Sequence, residues 1–419
     1  MIWRALRVRP QGRFYLVVLL AVVTLGTGMA TGFGLFYRLL YVLGITVLAS
    51  YAWNWLSLRG LNTVAGDRTR QAQVGESIDE AITVTNSSVL PKYALEIQDQ
   101  TDLPGYTGGI VTGLFGGKIG TWQVKMPARK RGRYILGPLK VSNIDPFGLF
   151  RRERQFGGAE PVLVFPRTHD LSEFRVPPSE LSGDSSVRRR AHNVTPQVST
   201  IRDYAPGDSL SRVHWNSSAR LGKLMSKEFD LGRAAEVWVA VDLDRNVQAG
   251  EMEESTDEYA VSIAASLAKR HVDAGLPVGL LSEGDNRYFL PAEVGAGQFQ
   301  RIMQLLALSR AEGTTPLEVM IANEEPLWTH LSTVIVVTSS PRPAWVSALR
   351  ELTRKGVRVV VVLVDAASFG SPIATLDVLG DVVEAGMPVY IVGKGDDIPS
   401  ALARRRPTRD AVGSVEAGV

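Results

Sequence analysis

The sequence predicts a multi-domain chain: an N-terminal transmembrane α-hairpin, a small β-sandwich, and an α/β domain on a mostly parallel sheet. Three observations predict it. Residues 14–34 carry no charged side chain. Between about 62 and 168, apolar and polar residues alternate with period two, as a half-buried strand requires. From Val237 onward, short apolar runs alternate with helical patterns, the signature of a sheet covered by helices.

The first run, FYLVVLLAVVTLGTGMATGFG, is long enough to cross the roughly 30 Å hydrocarbon core as a helix. A second runs from Leu39 to Leu56, with Asn54 its strongly polar residue. The link at Leu35–Arg38 is short, so helices over about 14–34 and 39–56 form an antiparallel hairpin within residues 1–60. Arg4, Arg7, Arg9 and Arg13 precede it and Arg59, Arg68 and Arg70 follow it, while the turn carries Arg38 alone. Basic residues stay on the cytoplasmic side. Both ends and the soluble domains therefore face the cytoplasm, as in a multi-pass protein of a bacterial inner membrane. Tyr51, Trp53 and Trp55 stand where an interfacial aromatic belt belongs. A cleaved signal peptide accounts neither for the second run nor for the lack of a small-residue cleavage site. Gly26, Gly28, Gly32 and Gly34 would permit close helix packing.

Composition narrows the chemistry. Apolar residues make up 45% of the chain, enough for sizeable cores, and the formal charge is +3 with both signs mixed throughout. That distribution points away from a nucleic-acid partner. With no cysteine, disulfides, thiolate metal sites and cysteine nucleophiles are excluded.

In the β segment, 62–168, Tyr93, Leu95 and Ile97 alternate with Ala94, Glu96 and Gln98. Trp122, Val124 and Met126 alternate with Gln123 and Lys125. Turn residues punctuate the runs at 86–88, 104–105, 116–117, 137–138 and 145–146. The basic run Arg129, Lys130, Arg131 and Arg133 reads as a solvated edge that blocks strand pairing, or as a contact for anionic lipid headgroups.

In the α/β segment, 235–395, the predicted strands are 237–243, 277–282, 333–339, 357–365 and 388–392. The predicted helices are about 254–274, 297–308, 343–355 and 374–385. Residues 396–419 read as a disordered tail. Ligands of open α/β sheets bind beyond the carboxyl ends of the strands. There the first strand ends in Asp242, Asp244 and Asn246. These three oxygen-bearing side chains are either a magnesium-type set or caps that turn the chain. No glycine-rich phosphate loop and no nucleophile elbow is present.

Between the soluble segments, in the linker 169–234, lies STIRDYAPGDSLSRVHWNSSARLGKLMSKEF (199–229). Arginines alternate with acids here, and His214 adjoins Trp215. An acid–base role for His214 with Asp208 is one reading; a polar clasp is the other, and it is preferred because no second catalytic partner appears. Trp215 reads as a buried anchor, which makes Arg220 the cleaner probe. No residue is assigned as catalytic, and the chain reads as a non-enzyme.

This stretch resembles the signature of the domain-of-unknown-function 58 family. The matching residues are Arg202, Tyr204, Gly207, Asp208, Arg212, His214, Trp215, Ala219 and Arg220. The stretch 131–150, with its Asp145-Pro146-Phe147-Gly148 turn, is also similar to that family. The resemblance implies a von Willebrand factor A-like domain after the signature. It also implies a membrane-tethered adaptor or scaffold that works with a MoxR-type AAA+ ATPase and other membrane proteins in assembling envelope complexes. The adhesion-type metal site of A domains is matched by Asp242, but Asp244 and Asn246 replace its two serines. Thr338-Ser339-Ser340 stand where its distal aspartate is expected, and Thr256 is the candidate threonine. Two alternatives remain at this stage: a divalent-metal-dependent hydrolase using Asp242, Asp244 and His214, and a membrane-surface structural protein.

Overall fold

The computed structural model describes residues 8–174, 198–204, 213–229, 235–372 and 375–404. The chain divides into two compact units, Met1–Arg167 and Thr168–Val419.

In the first unit, strand β1 (Val8–Pro10) leads into helices α1 (Gly12–Thr31) and α2 (Gly34–Ser57). Both are long and apolar enough to cross a membrane. Gly32 ends α1 with φ 68°, its N–H donating to the Gly28 carbonyl, a left-handed cap that suits glycine. The link is thus shorter than expected. Leu35–Arg38, read as the turn, already belong to α2. Of the four glycines read as packing residues, Gly28 makes the close approach. A Cβ there would meet the Phe36 Cβ at 3.2 Å, whereas Gly26, Gly32 and Gly34 have nothing within 4 Å. Val17, Ala21 and Leu25 of α1 and Leu40, Gly44 and Val47 of α2 line a shared cavity.

Strands β2 (Leu61–Arg68), β3 (Gln71–Gln73), β4 (Ser77–Asn86), β5 (Lys92–Thr101), β6 (Ile110–Leu114), β7 (Ile119–Pro127), β8 (Gly132–Ile144), β9 (Phe150–Phe156) and β10 (Glu160–Phe165) follow. β2, β4 and β7 form one sheet; the others, with β1, form a second built around the long β8. Ile82 and Val84 of the first sheet share a core with Leu95, Ile97, Leu139 and Val141 of the second. The predicted alternation fails at one point. Ala94 takes φ 50° and the β5–β6 register shifts between Lys92 and Leu95. That irregularity turns Tyr93 outward, where its ring stacks on Trp53 of α2 at 6.3 Å.

The end of α2 is held by side chains from this domain. Arg152 donates to the Trp55 carbonyl at 2.6 Å and Lys92 to the Leu56 carbonyl at 2.8 Å. Asn54 donates to the Phe150 carbonyl at 2.8 Å. The last turn of a helix leaves carbonyls without partners and carries partial negative charge, so two cations there satisfy both needs. Burial lowers the pKa of Lys92.

In the second unit, β11 (Val198–Asp203) pairs antiparallel with β12 (Met225–Phe229), and α3 (Trp215–Leu221) lies between them in sequence. Next come β13 (Glu236–Asp242), the two-residue strands β14 (Gly250–Glu251) and β15 (Glu254–Ser255), α4 (Thr256–Asp273), β16 (Val278–Glu283), β17 (Arg287–Glu293), α5 (Ala296–Leu308) and α6 (Leu317–Glu324). The chain continues through β18 (Ser332–Thr338), α7 (Ala344–Arg354), β19 (Arg358–Val364), α8 (Leu379–Glu384), β20 (Val389–Val392) and α9 (Ile398–Ala403). The sheet order is β17-β16-β13-β18-β19-β20, parallel except for the edge strand β17. Trp238, Ala240, Val334, Val336, Val361 and Leu363 pack with α6, α7 and α8 on one face. Alternate residues of the strands turn to the other face, which α4 covers.

β17 and α6 are absent from the sequence reading. Part of the expected tail is helical. Asp397 caps α9 through the Ser400 N–H at 3.2 Å, and Ile398 and Leu402 are buried. Residues 405–419 lie outside the described residues.

Candidate functional site

β13 is flanked by β16 on one side and β18 on the other, so the strand order reverses beside it. At such a switch point the loops leaving two adjacent strands diverge and open a crevice. Here the diverging ends belong to β13 and β18, and they bring together residues nearly a hundred positions apart. Asp242 closes β13, and its carboxylate accepts from the Thr338 hydroxyl at 2.6 Å and from the Asp244 N–H at 3.1 Å. Asp244 accepts from the Asn246 N–H at 3.0 Å and the Asn246 side-chain amide at 2.7 Å. Its other oxygen faces the Arg342 guanidinium at 3.4 Å. Gln248 donates back to the Asp242 carbonyl at 3.1 Å and accepts from Thr256 at 2.6 Å. Ser339 closes the ring by donating to the Val247 carbonyl at 2.9 Å.

Asp242 and Asp244 are buried. Burial pushes Asp242 up to about 6, against the pull of the Thr338 and Asp244 hydrogen bonds. A buried carboxylate is tolerated when donors surround it, and this one has two.

The side chains of this set are engaged with partners inside the protein. Both Asp242 oxygens already accept hydrogen bonds, Asn246 presents N–H groups toward Asp244, and Arg342 supplies positive charge beside the second carboxylate. Among the described residues no group of three or more His, Asp or Glu side chains is placed to hold a metal. Titrating magnesium into the purified full-length protein is expected to give the same heats for wild type and Asp242→Asn. A saturable heat present only in wild type would restore the cation reading.

The signature is partly visible. Arg202 lies in β11, and the Tyr204 N–H donates to the Leu224 carbonyl at 3.0 Å. Gly207, Asp208 and Arg212 lie outside the described residues. His214 caps α3: its ring accepts from the Ser217 N–H at 3.2 Å and Nδ1 lies 2.8 Å from the Ser217 hydroxyl. The ring thus does the work of an N-cap side chain. Trp215, read as a buried anchor, is 64% exposed, because it opens a seven-residue helix whose buried residue is Ser218. Ala219 and Arg220 are exposed on the same helix, and Asp203 pairs with Lys223 at 2.8 Å.

Sequence reasoning missed Gln248 and Arg342. The one local signal for Arg342 is its position between Pro341 and Pro343, a stiff loop leaving a strand end.

Residues 200–381 match the family model described as "Protein of unknown function DUF58", which bears out the resemblance read from the signature. An uncharacterised protein, YeaD, of Bacillus subtilis is 25% identical over 191 residues, 45% of this chain and 45% of that one. The match thus spans less than half of the relative's length. Among solved structures, the conserved hypothetical protein BatB of Bacteroides thetaiotaomicron aligns at 15% identity with a TM-score of 0.30, over 44% of this chain and 100% of that one. The pilus adhesin SpaC of Lactobacillus rhamnosus GG aligns at 11% identity and TM-score 0.32, over 48% and 32%. At such scores the fold stands on this chain's own strand order.

Proposed function

We propose that this chain is a membrane-anchored adaptor, with two crossings of the cytoplasmic membrane, both soluble units in the cytoplasm, and a strand-end face that receives a partner protein. A MoxR-type AAA+ ATPase is the first partner to test. The crossings are supported by the two apolar helices and by the basic residues outside their link, Arg9 before α1, Arg13 in its first turn and Arg59 after α2. A von Willebrand factor A-like reading of the second unit is supported by its sheet order and its antiparallel edge strand β17.

One observation carries the adaptor reading over an enzyme. At the switch point the acidic side chains are occupied by hydrogen bonds, while Arg342, 42% exposed at its side chain, stands at the lip. Among the described residues, such a face offers a fixed shape and two accessible cations, Arg342 and Arg245, while both strand-end carboxylates are held in hydrogen bonds. The test is co-purification of the tagged full-length protein from gently solubilised membranes, with and without ATP. Wild type is expected to retain an ATPase in a nucleotide-dependent way, and Arg342→Ala to lower that retention about tenfold, the equivalent of about 1.4 kcal/mol, while staying folded at assay temperature despite the loss of the ion pair to Asp244. Retention unaffected by the substitution, or no ATPase from either protein, would reject the assignment.

A further inference from the structure

The first unit carries an apolar rim with no partner among the described residues. We infer that the helix-proximal loops of the β domain rest in the headgroup layer of the membrane, so that this domain is seated on the lipid surface. The inference rests on the reading of α1 and α2 as membrane-spanning.

Three loops meet at one end of the domain. The β4–β5 loop carries Val89 and Leu90, the β6–β7 loop carries Phe115, and the β8–β9 turn carries Phe147. Their common position follows from register: Lys92 pairs with Leu114, Thr85 with Ile119, and Leu95 with Asn143. The β4–β5 and β6–β7 loops are also tied directly. Asn86 donates to the carbonyls of Leu90 and Phe115, and the Gly117 N–H donates to the Asn86 carbonyl.

The same end receives the helices. The Ser87 N–H donates to the Gly60 carbonyl, Lys92 reaches the Leu56 carbonyl, and the Gln11 N–H donates to the Leu149 carbonyl. The rim therefore lies at the end of the domain where the chain leaves α2 and enters α1. Yet it is apolar and open: Val89 is 94% exposed, Phe115 70%, Ile119 66% and Phe147 55%. Exposed apolar residues grouped at one place mark a surface meant to be covered. A headgroup layer adds several ångströms beyond the hydrocarbon on each side and favours aromatic side chains. Exposed Lys118, between Phe115 and Ile119, supplies a charge for lipid phosphate.

This reverses the lipid-contact reading of the basic run 129–133. Ser77 pairs with Pro127 at the far end of β4, nine residues from Asn86, or roughly 30 Å at about 3.4 Å per residue. Arg131 is buried there. The basic run is therefore at the end of the domain away from the helices.

The chain has no cysteine, so single nitroxide labels can be placed directly. The experiment compares full-length protein in nanodiscs of mixed neutral and anionic lipid, one copy per disc, labelled through Val89→Cys, Phe115→Cys, Lys130→Cys or Leu20→Cys. Collision with oxygen, which partitions into lipid, is measured against collision with a water-soluble nickel chelate. Leu20→Cys is expected to report hydrocarbon and Lys130→Cys water. Val89→Cys and Phe115→Cys are expected to fall between, with at least a threefold higher oxygen-to-nickel ratio than Lys130→Cys. Rim labels matching Lys130→Cys while Leu20→Cys reports lipid would overturn the rim alone. A water-exposed Leu20→Cys would overturn the membrane reading and the rim with it. Labels shielded from both reagents would mean that protein covers the rim, and would also overturn it.

Discussion

Arg68→Met is expected to cost about 3–5 kcal/mol of unfolding free energy at pH 8 and markedly less at pH 5, the cost of stripping the partner from a buried ion cluster. Arg68 lies 2.6 Å from Glu80 and 3.5 Å from Asp99, with side-chain exposures of 5%, 0% and 1%. One guanidinium thus serves two buried carboxyls inside the β domain. Burial and the neighbouring Asp99 push Glu80 up to about 7, against the pull of Arg68. The sign of the pH dependence follows. Between about 4.5 and about 7 the native state holds a proton on Glu80 that the unfolded chain releases. Stability from this group is therefore highest at the acid end and is lost as pH rises through about 7. Without Arg68 the ionised form loses its counter-charge, so the penalty grows in the same direction. Melting the detergent-solubilised full-length protein at both pH values measures it. Equal penalties at pH 5 and pH 8 would show that Arg68 acts through packing alone. Glu80→Gln is the control and should flatten the wild-type slope.

The parts legible in the sequence were those whose signal is local. The apolar helices, the buried strands such as VWVAVD and RVVVVLV, and the helices ended by Gly275, Gly356 and Gly386 each announce themselves within a dozen residues. β17 does not. Its residues are half exposed along an edge and Pro291 interrupts the pattern, which a strand tolerates only at an edge. α6 is eight residues long between irregular segments, too short for its period to show. The inward reading of Tyr93 failed because the backbone irregularity at Ala94 has no composition signal. The candidate site was legible in part, since the family resemblance also pointed to Thr256 and to Thr338, Ser339 and Ser340. Asp242, Asp244 and Asn246 stand out by spacing, but what decides their chemistry is Thr338 and Arg342. Arg342 follows a different strand, and no spacing rule connects it to Asp244 across so many positions.

Trp345→Ala is expected to destabilise the α/β unit by about 3–5 kcal/mol, the range for deleting a large aromatic from a packed core. Trp345 is fully buried in the first turn of α7 and packs in the cluster that holds Trp238, Val336 and Leu349. At about 2–4 °C per kcal/mol for a domain of this size, the melting temperature should fall by roughly 10 °C. Trp345→Phe separates two contributions. It keeps much of the apolar area but removes the indole N–H that donates to the Ser340 carbonyl at 3.3 Å. Its cost should be smaller, about 1–2 kcal/mol, mostly from the orphaned carbonyl. Ser340 leads directly into the Pro341-Arg342-Pro343 loop, so the indole ties the exposed arginine of the strand-end face to the core beneath it. If that face receives a partner, Trp345→Phe should lower partner retention while the protein stays folded at assay temperature. A phenylalanine variant with full retention would mean that the loop keeps its shape through the Ser340 N–H to Thr338 contact at 2.9 Å and needs no support from the core. A phenylalanine variant as unstable as the alanine one would place the whole contribution of Trp345 in that single hydrogen bond.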